Sequence, residues 1–283
     1  MPKDSRAGNL LERRIPKSGE ALPAVGLGTW QGFDVGGDAR GMAEAKEALK
    51  VFVELGARVI DSSPMYGSAE AVTGQLAAEL AIQSKLFVAT KVWTNGKQAG
   101  IRQMEDSMRK LRVKRLDLMQ VHNLSDVQTQ LATLRDWKAA GRIRYLGVTH
   151  YHAGAHADLE KVIARGDMDT VQVNYSLAEP EADRRLLRVA ADSGTAVIIN
   201  RPFAEGAMFA RVKGQAVPGG RRTPAARAGH STFSSGYSPS PPSPASSRAR
   251  ATPSTWPTTS AAATGPLPDE AMRRRMAEHF NSL

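Results

Sequence analysis

The chain has no cysteine among its 283 residues. This absence excludes disulfide bonds and thiolate metal sites, and it is typical of a protein of the reducing cytoplasm. No apolar run approaches the roughly 20 residues of a membrane-spanning helix, and the first 20 residues lack the apolar segment of a secretory signal. We therefore expect a soluble cytoplasmic protein with no membrane partner and no metal site.

The chain also has little excess charge over most of its length. Residues 1–214 hold 30 Lys and Arg against 25 Asp and Glu, whereas the last 69 residues hold 8 Arg, no Lys and 3 acids. Half of the net charge of +10 is thus concentrated in a quarter of the chain. This distribution does not favour a nucleic-acid partner, although a basic interaction tail is one further hypothesis. The oligomeric state cannot be inferred from these patterns.

One segment lacks the residues of a protein core. Residues 216–263 contain no Leu, Ile, Lys, Asp or Glu, and Pro, Ser, Thr, Ala and Arg dominate there. Such a composition predicts a disordered linker. We therefore divide the chain into a folded part over 1–214, a disordered segment over 215–263 and a C-terminal helix over 264–283.

The folded part shows a regular alternation of short apolar strands and longer amphipathic helices. The strand candidates are "AVGLGTW", "RVIDSS", "LFVATKVW", "LDLMQVH", "IRYLGVTH", "TVQVNYS" and "AVIINRPF". This pattern predicts the α/β class and a (β/α)8 TIM barrel, with "ERRIPKSGEAL" forming an N-terminal hairpin that plugs its bottom. The eighth strand should fall between residues 235 and 255, inside the Pro/Ser/Arg-rich segment, and is expected to be missing or replaced.

Four chemically active side chains lie at, near or just after the ends of consecutive predicted strands. Asp61 ends the second strand, Tyr66 follows it, Lys91 lies near the end of the third strand, and His122 ends the fourth. In a barrel these ends are neighbours, so a carboxylate, a phenol, an ammonium and an imidazole should converge. An ammonium beside a phenol stabilises the phenolate, and a carboxylate holds the ammonium in place. The four residues together predict a proton-donating site.

Each of these residues taken alone also fits a structural role. Asp61 could cap the following turn, Lys91 could be solvated, Tyr66 could be a packing residue, and His122 could be a hydrogen-bonded core histidine. Only the occurrence of all four at consecutive strand ends favours catalysis.

The motifs that carry these residues resemble the aldo-keto reductase family. They are "GLGTWQ", Asp61 with the "SSPMYGSAE" that follows it, "FVATKVW", "LDLMQVHN", "IRYLGVTHY" and "VQVNYS", in the family's order over about residues 14–212, and the similarity resumes over 264–280. The resemblance implies an NAD(P)H-dependent oxidoreductase that transfers a hydride to a small aldehyde or ketone. It also implies that Tyr66 is the general acid, that Lys91 and Asp61 support it, and that His122 orients the carbonyl.

The resemblance implies NADPH as the cofactor, with NADH not excluded. Thr149, His150 and Gln172 match the positions that hold the nicotinamide carboxamide, and Thr29 matches a position near the cofactor. Trp30 and Trp93 match substrate-pocket positions, although they could also be ordinary aromatics of the barrel mouth.

One position departs from the family pattern. The family has an aromatic residue after the seventh strand that stacks on the nicotinamide, and here "NRPF" places Asn200 there. Only Pro202 and Phe203 of the usual cofactor-binding surface then remain.

The Pro/Ser/Arg-rich segment has a second interpretation, a double frameshift. Read one base out of frame, Pro241 through Ala251 allow an apolar strand followed by a Pro-Gly turn, which resembles the family's eighth strand and phosphate-binding segment. We favour this hypothesis over a genuine linker. A shift in the gene itself predicts loss of that strand and an inactive chain, whereas a sequencing error predicts an ordinary reductase.

Two other functions remain open. The barrel could be a non-catalytic module that binds a nucleotide or a protein partner, or the basic tail could bind polyanions. Carbonyl-dependent oxidation of NADPH would separate the enzyme from both alternatives.

Overall fold

The computed structural model describes residues 10–213, 245–247 and 270–282. The predicted frameshifted and disordered segment therefore lies outside the described residues, except for its three residues 245–247. Within the described part, no helix is long and apolar enough to cross a membrane.

An antiparallel hairpin precedes the main sheet, as predicted. Its strands are β1 (Glu12–Arg14) and β2 (Ala21–Pro23). Ile15 and Leu22 are buried in one cluster with apolar side chains from the barrel strands. The hairpin therefore closes the bottom of the barrel by contributing to its interior.

Eight parallel strands form a closed barrel. Each predicted strand of the first seven units is present, and its buried residues explain the near-continuous apolar runs of the sequence. The barrel strands are β3 (Val25–Gly28), β4 (Val59–Asp61), β5 (Phe87–Val92), β6 (Leu116–His122), β7 (Ile143–Thr149), β8 (Thr170–Asn174), β9 (Ala196–Asn200) and β10 (Ala245–Ser247).

The eighth strand, which was expected to be missing or replaced, is formed by three residues of the Pro/Ser/Arg-rich segment. Ala245–Ser247 lies within the interval foreseen for it and pairs with β9 on one side and β3 on the other. Main-chain hydrogen bonds make this pairing, so three residues without an apolar pattern can form the eighth strand. The barrel is thus closed by a strand of only three residues.

Helices cover the outside of the barrel. The first helix is preceded by its N-cap residue Asp38, whose side chain accepts a hydrogen bond from the main-chain N–H of Arg40. The helices are α1 (Ala39–Glu54), α2 (Ala69–Glu79), α3 (Lys97–Leu111), α4 (Val127–Ala139), α5 (His156–Ile163), α6 (Leu186–Asp192), α7 (Ala207–Val212) and α8 (Glu270–Ser282). Short 3₁₀ turns occur at Gln83–Lys85, Ala153–Ala155, Glu181–Arg184 and Ala204–Gly206.

Two contacts tie helices closely to their neighbours. Gly74 of α2 packs so tightly on the end of α3 that a Cβ atom there would lie 2.1 Å from the Lys110 carbonyl oxygen. At the other end of the chain, Phe280 of α8 is buried against Leu177 and Met208. The C-terminal helix thus packs on the barrel beside α7.

Candidate active site

A buried ion pair lies at the carboxyl ends of β4 and β5. Lys91 Nζ lies 2.8 Å from both carboxylate oxygens of Asp61 and 2.5 Å from the carbonyl oxygen of Ser62. Lys91 is 0% exposed and Asp61 2%. All three ammonium hydrogens therefore have acceptors, which is the condition under which a charge tolerates burial.

Tyr66 lies beside this ion pair, in the turn that follows β4. Its main-chain N–H donates to the Ser63 carbonyl at 3.0 Å, which fixes the turn. The Lys91 ammonium lies 5.2 Å from the centre of the phenol ring, and the side chain of Tyr66 is buried. A positive charge thus lies next to the phenol in a region with little water, where its field is weakly screened.

His122 completes the group from the end of β6. Its ring meets that of Tyr66 edge-on, at 6.0 Å between centroids and 87° between planes. The Ser63 hydroxyl lies 3.0 Å from Nδ1 of His122 and so holds the ring orientation. The structure therefore brings together Asp61, Tyr66, Lys91 and His122, as their strand-end positions predict.

A chain of side-chain amides supports the carboxylate of Asp61. Gln172 Nε2 donates to Asp61 Oδ2 at 3.2 Å, and Gln120 Nε2 approaches Oδ1 at 3.4 Å. Thr149 in turn donates its hydroxyl hydrogen to Gln172 Oε1 at 3.0 Å. Two of the three residues predicted for the carboxamide, Thr149 and Gln172, are thus bonded to one another and to the ion pair.

Thr29 bonds to the main chain of Asp61 and not to its carboxylate. Its N–H and its hydroxyl both reach the Asp61 carbonyl, at 3.0 and 3.2 Å, and the hydroxyl also lies 2.8 Å from Ser62 Oγ. Thr29 is fully buried. In this structure it holds the end of β4 in place.

The third residue predicted for the carboxamide, His150, follows β7 within an aromatic cluster. Its ring stacks on Tyr151 at 5.3 Å and lies 4.3 Å from that of His152. Its Nδ1 accepts a hydrogen bond from the Tyr151 N–H. Burial, together with the nearby His152 and His156, lowers the pKa of His150 to about 4, so its ring is neutral at pH 7.

The residues predicted from the segment after β9 lie in a strained turn. Phe203 is buried, with its ring 4.8 Å from that of Phe209, and Pro202 is partly exposed. Arg201 adopts a positive φ of 54°. The contact with Phe209 places Phe203 in the packing between this turn and α7.

Aromatic and apolar side chains surround the entrance above the four central residues. Trp93 is 42% exposed, with its ring 6.4 Å from that of His122, and Met65 and Tyr151 are 41% and 46% exposed. Trp30 is partly buried and packs on the main core. Ligand sites are typically lined by apolar and aromatic side chains with a few polar groups, so these residues are candidates for a substrate entrance.

Sequence reasoning missed three residues of this site: Ser63, Gln120 and Asn174. Strand alternation contains the signal for two of them, because Gln120 lies two residues before His122 and Asn174 two residues after Gln172. Among the described residues, no group of three or more His, Cys, Asp or Glu is arranged to hold a metal ion.

The fold and the site together define the class, a (β/α)8-barrel enzyme with a polar site at the carboxyl ends of its strands. The match to the family model "Aldo/keto reductase family" extends over residues 24–254, and the chain therefore belongs to this family of oxidoreductases.

Characterised relatives and a solved structure agree with this assignment. The methylglyoxal reductase YeaE of Escherichia coli (strain K12) is 31% identical over 201 residues, which are 69% of this chain and 69% of YeaE. The NADH-specific methylglyoxal reductase of the same strain is 25% identical over 234 residues, 71% of this chain and 70% of that protein. The crystal structure of an aldo-keto reductase from Klebsiella pneumoniae in complex with NADPH has a TM-score of 0.74 at 24% identity, covering 95% of either chain. That structure supports the fold.

Proposed function

We propose that this protein reduces a small aldehyde or ketone with NADPH, and that Tyr66 donates the proton to the carbonyl oxygen. The observation that carries the proposal is the Lys91 ammonium, buried between the carboxylate of Asp61 and the ring of Tyr66. A buried cation next to a phenol stabilises the negative charge that the phenol acquires when it gives up its proton.

The remaining residues of the site support this proton transfer. Asp61 holds the Lys91 ammonium in place, and the amides of Gln120 and Gln172 keep the carboxylate in position. His122, oriented by Ser63, orients the substrate carbonyl toward Tyr66. The cofactor, when bound, supplies the hydride to the carbonyl carbon.

The substrate class follows from the relatives and from the entrance. Both Escherichia coli relatives are named as methylglyoxal reductases, so we propose a small carbonyl compound such as a 2-oxoaldehyde. Trp30 and Trp93 at the entrance would contact the part of the substrate that does not react.

The described residues fit a nicotinamide cofactor. Asn174 and Asn200 each bury a polar atom that has no hydrogen-bond partner among the described residues, at the mouth of the barrel. Such atoms need a polar group from a ligand or from water. Thr149, His150, Gln172, Pro202 and Phe203 are the positions that the family resemblance assigns to the cofactor, with Thr29 near it; NADH remains a second candidate because one relative is NADH-specific.

The activity of the chain as written depends on residues 215–263. We propose that this segment results from a double frameshift and that the barrel over 1–214 and the helix over 264–283 belong to one cytoplasmic protein. Resequencing of codons 210–268 tests this: a missing or extra base at both ends of the segment supports it, and an unchanged sequence contradicts a sequencing error.

The proposed function is tested by following carbonyl-dependent oxidation of NADPH with methylglyoxal. Tyr66→Phe removes the proton donor, so kcat should fall by about 10²–10⁴-fold, the usual contribution of general acid catalysis. Tyr145→Phe is the matched control, because the Tyr145 hydroxyl bonds to Ser18 and Glu20 at the hairpin end of the barrel, and its kcat should change by less than about twofold. Binding of NADPH without turnover in the parent protein would support the non-catalytic alternative instead.

A further inference from the structure

A basic cleft lies at the bottom of the barrel, at the end opposite to the proton-donating site. It is formed between the turn of the β1–β2 hairpin and the amino-terminal end of β7, and its volume is about 470 Å³. Ligand sites commonly have volumes of about 300–1,000 Å³. Among its lining residues, Lys17, Arg115, Lys138 and Arg144 carry a positive charge and Asp169 carries a negative charge. The cleft is therefore large enough for a small molecule and has an excess of positive charge.

Two of the four cations have carboxylate partners. Lys138 Nζ lies 2.8 and 2.6 Å from the two carboxylate oxygens of Asp169, whose side chain is buried. The guanidinium of Arg144 bonds to Asp117 at 2.7 Å and also pairs with Glu20. The negative charge that lines the cleft is thus already paired, and the excess positive charge comes from the other two residues.

The ammonium of Lys17 is held by carbonyl oxygens and forms no ion pair with any described carboxylate. Its Nζ donates to the carbonyl oxygens of Gly166 and Met168, at 2.6 and 2.5 Å, which are dipoles without net charge. Partial burial lowers the pKa of Lys17, an effect that Asp169 opposes and Lys138 increases. An ammonium has three hydrogens, so one remains to donate to a ligand. An anion in the cleft would supply the counter-charge that Lys17 lacks.

Arg115 lines the cleft from the loop between α3 and β6. Its side chain is exposed, and it forms neither a hydrogen bond nor an ion pair with the part of the chain that the structure describes. A guanidinium presents five N–H donors in a planar fork, which fits the oxygens of a phosphate group in pairs. A ligand in the cleft would therefore meet an ammonium from the hairpin and a guanidinium from this loop.

We propose that this cleft binds the phosphate group of a small phosphorylated compound, through Lys17 and Arg115. A phosphate monoester carries a charge of about −1.5 to −2 at pH 7, which matches the two cations that lack a carboxylate, whereas a carboxylate group carries a single charge. The phosphate group alone fills only part of 470 Å³, so the organic part of the compound has room beside it. The site lies outside the barrel mouth, and the inference does not depend on the proposed reduction.

The test is isothermal titration calorimetry of the full chain with glycerol 2-phosphate, and with succinate at the same ionic strength. The parent protein should bind glycerol 2-phosphate more tightly than succinate, because the phosphate places its whole charge on one group. Lys17→Met and Arg115→Gln each remove one charged donor, so each should weaken the binding of glycerol 2-phosphate by about tenfold.

Lys114→Gln is the matched control. Lys114 precedes Arg115 in the same loop and is exposed, but it is not one of the residues that line the cleft. The substitution changes the net charge by the same amount as Arg115→Gln. Because solvent screens a charge that does not touch the ligand, the affinity should change by less than about twofold.

Four results would overturn the proposal. The parent protein binds no glycerol 2-phosphate; or Lys17→Met and Arg115→Gln bind it as the parent does, which places the phosphate elsewhere, for example at the cofactor site. Equal weakening in all three variants would show attraction by net charge alone, and equal affinity for succinate would contradict the preference for phosphate. Thermal melting verifies that each variant folds. If Lys17→Met does not fold, because Lys17 ties the hairpin to Gly166 and Met168, Arg115→Gln decides.

Discussion

The ammonium of Lys91 is equidistant from the two carboxylate oxygens of Asp61, at 2.8 Å from each. Both side chains are almost fully buried, so neither charge is stabilised by bulk water. Each charge therefore depends on its partner, and the pair is at once the structural centre of the barrel mouth and the electrostatic environment of Tyr66.

Removal of one partner of this pair should destabilise the fold. Asp61→Asn leaves the Lys91 ammonium buried without a counter-charge, and we expect a loss of about 3–5 kcal/mol in the free energy of unfolding, measured by urea denaturation. Asp158→Asn is the control, because Asp158 pairs with Lys161 on the surface at 2.8 Å, where solvent screens the charges, and its effect on the free energy of unfolding should be much smaller. Equal losses in the two variants would contradict the dependence on burial. The double variant Asp61→Asn, Lys91→Met should recover part of the loss.

A buried carboxyl group on α2 should make the free energy of unfolding decrease as the pH rises. Glu70 is 1% exposed and accepts hydrogen bonds from Thr90 and Ser107. Burial raises its pKa above the ordinary 4.5, although the two hydroxyl groups and the more distant Lys110 and Lys91 oppose the rise. The folded state then binds the proton more tightly than the unfolded chain does, so this contribution to stability is present below pH 4.5 and is lost as the pH rises above it.

Glu70→Gln should remove that dependence, because glutamine keeps the contact with Thr90 and has no charge. The difference in unfolding free energy between Glu70→Gln and the parent protein should increase in favour of the variant as the pH rises above about 4.5. Urea denaturation at a series of pH values measures it. Parallel curves for the two proteins would show that the carboxyl group has no raised pKa.

The close contact between α2 and α3 should make Gly74→Ala destabilise the fold, although alanine has the higher helix propensity. In an exposed helix, Gly→Ala stabilises by about 1 kcal/mol. At Gly74, the new Cβ atom would meet the Lys110 carbonyl at 2.1 Å, and forcing the helices apart costs about 1–3 kcal/mol. We therefore expect Gly74→Ala to lower the melting temperature. Ala71→Gly, at an exposed position of the same helix, measures the propensity term alone, and stabilisation by Gly74→Ala would show that the helices separate freely.

The histidine cluster after β7 should make the fold sensitive to mild acid. The pKa of His150 is lowered to about 4 in the folded protein, against 6.5 ordinarily, by burial and by His152 and His156. The unfolded chain therefore binds more protons between pH 6.5 and 4, and stability present above pH 6.5 is lost as the pH falls through this range. His150→Asn should lose less stability than the parent between pH 7 and 4.5. His152→Asn should raise the pKa of His150, as followed by NMR titration, and an unchanged titration would contradict the role of His152.

Much of this architecture could be predicted from the sequence, because its signals are local. The apolar runs predict the seven strands, and the positions of Asp61, Lys91 and His122 at or near the strand ends place them together. The hairpin and the seven βα units are confirmed by the fold. What each side chain bonds to could not be predicted, because Gln172 serves Asp61 only once β4 and β8 lie across the barrel from each other.

The eighth strand shows the limit of such signals. Ala245–Ser247 has no alternation and no β-branched residue, and its pairing with β3 and β9 uses main-chain atoms, which are the same for every residue. The side-chain pattern of the sequence therefore cannot predict this strand. The same applies to Asn174 and Asn200, whose juxtaposition results from strand register.

The strands that carry the ion pair and His122 are not the strands that pair with the closing strand. Asp61, Lys91 and His122 come from β4, β5 and β6, which pair with one another, whereas the short closing strand joins β9 to β3. A substitution in the closing strand therefore changes none of Asp61, Lys91 and His122. The residues that close the barrel and the residues that form the buried ion pair are therefore separate, and each set can be substituted without altering the other.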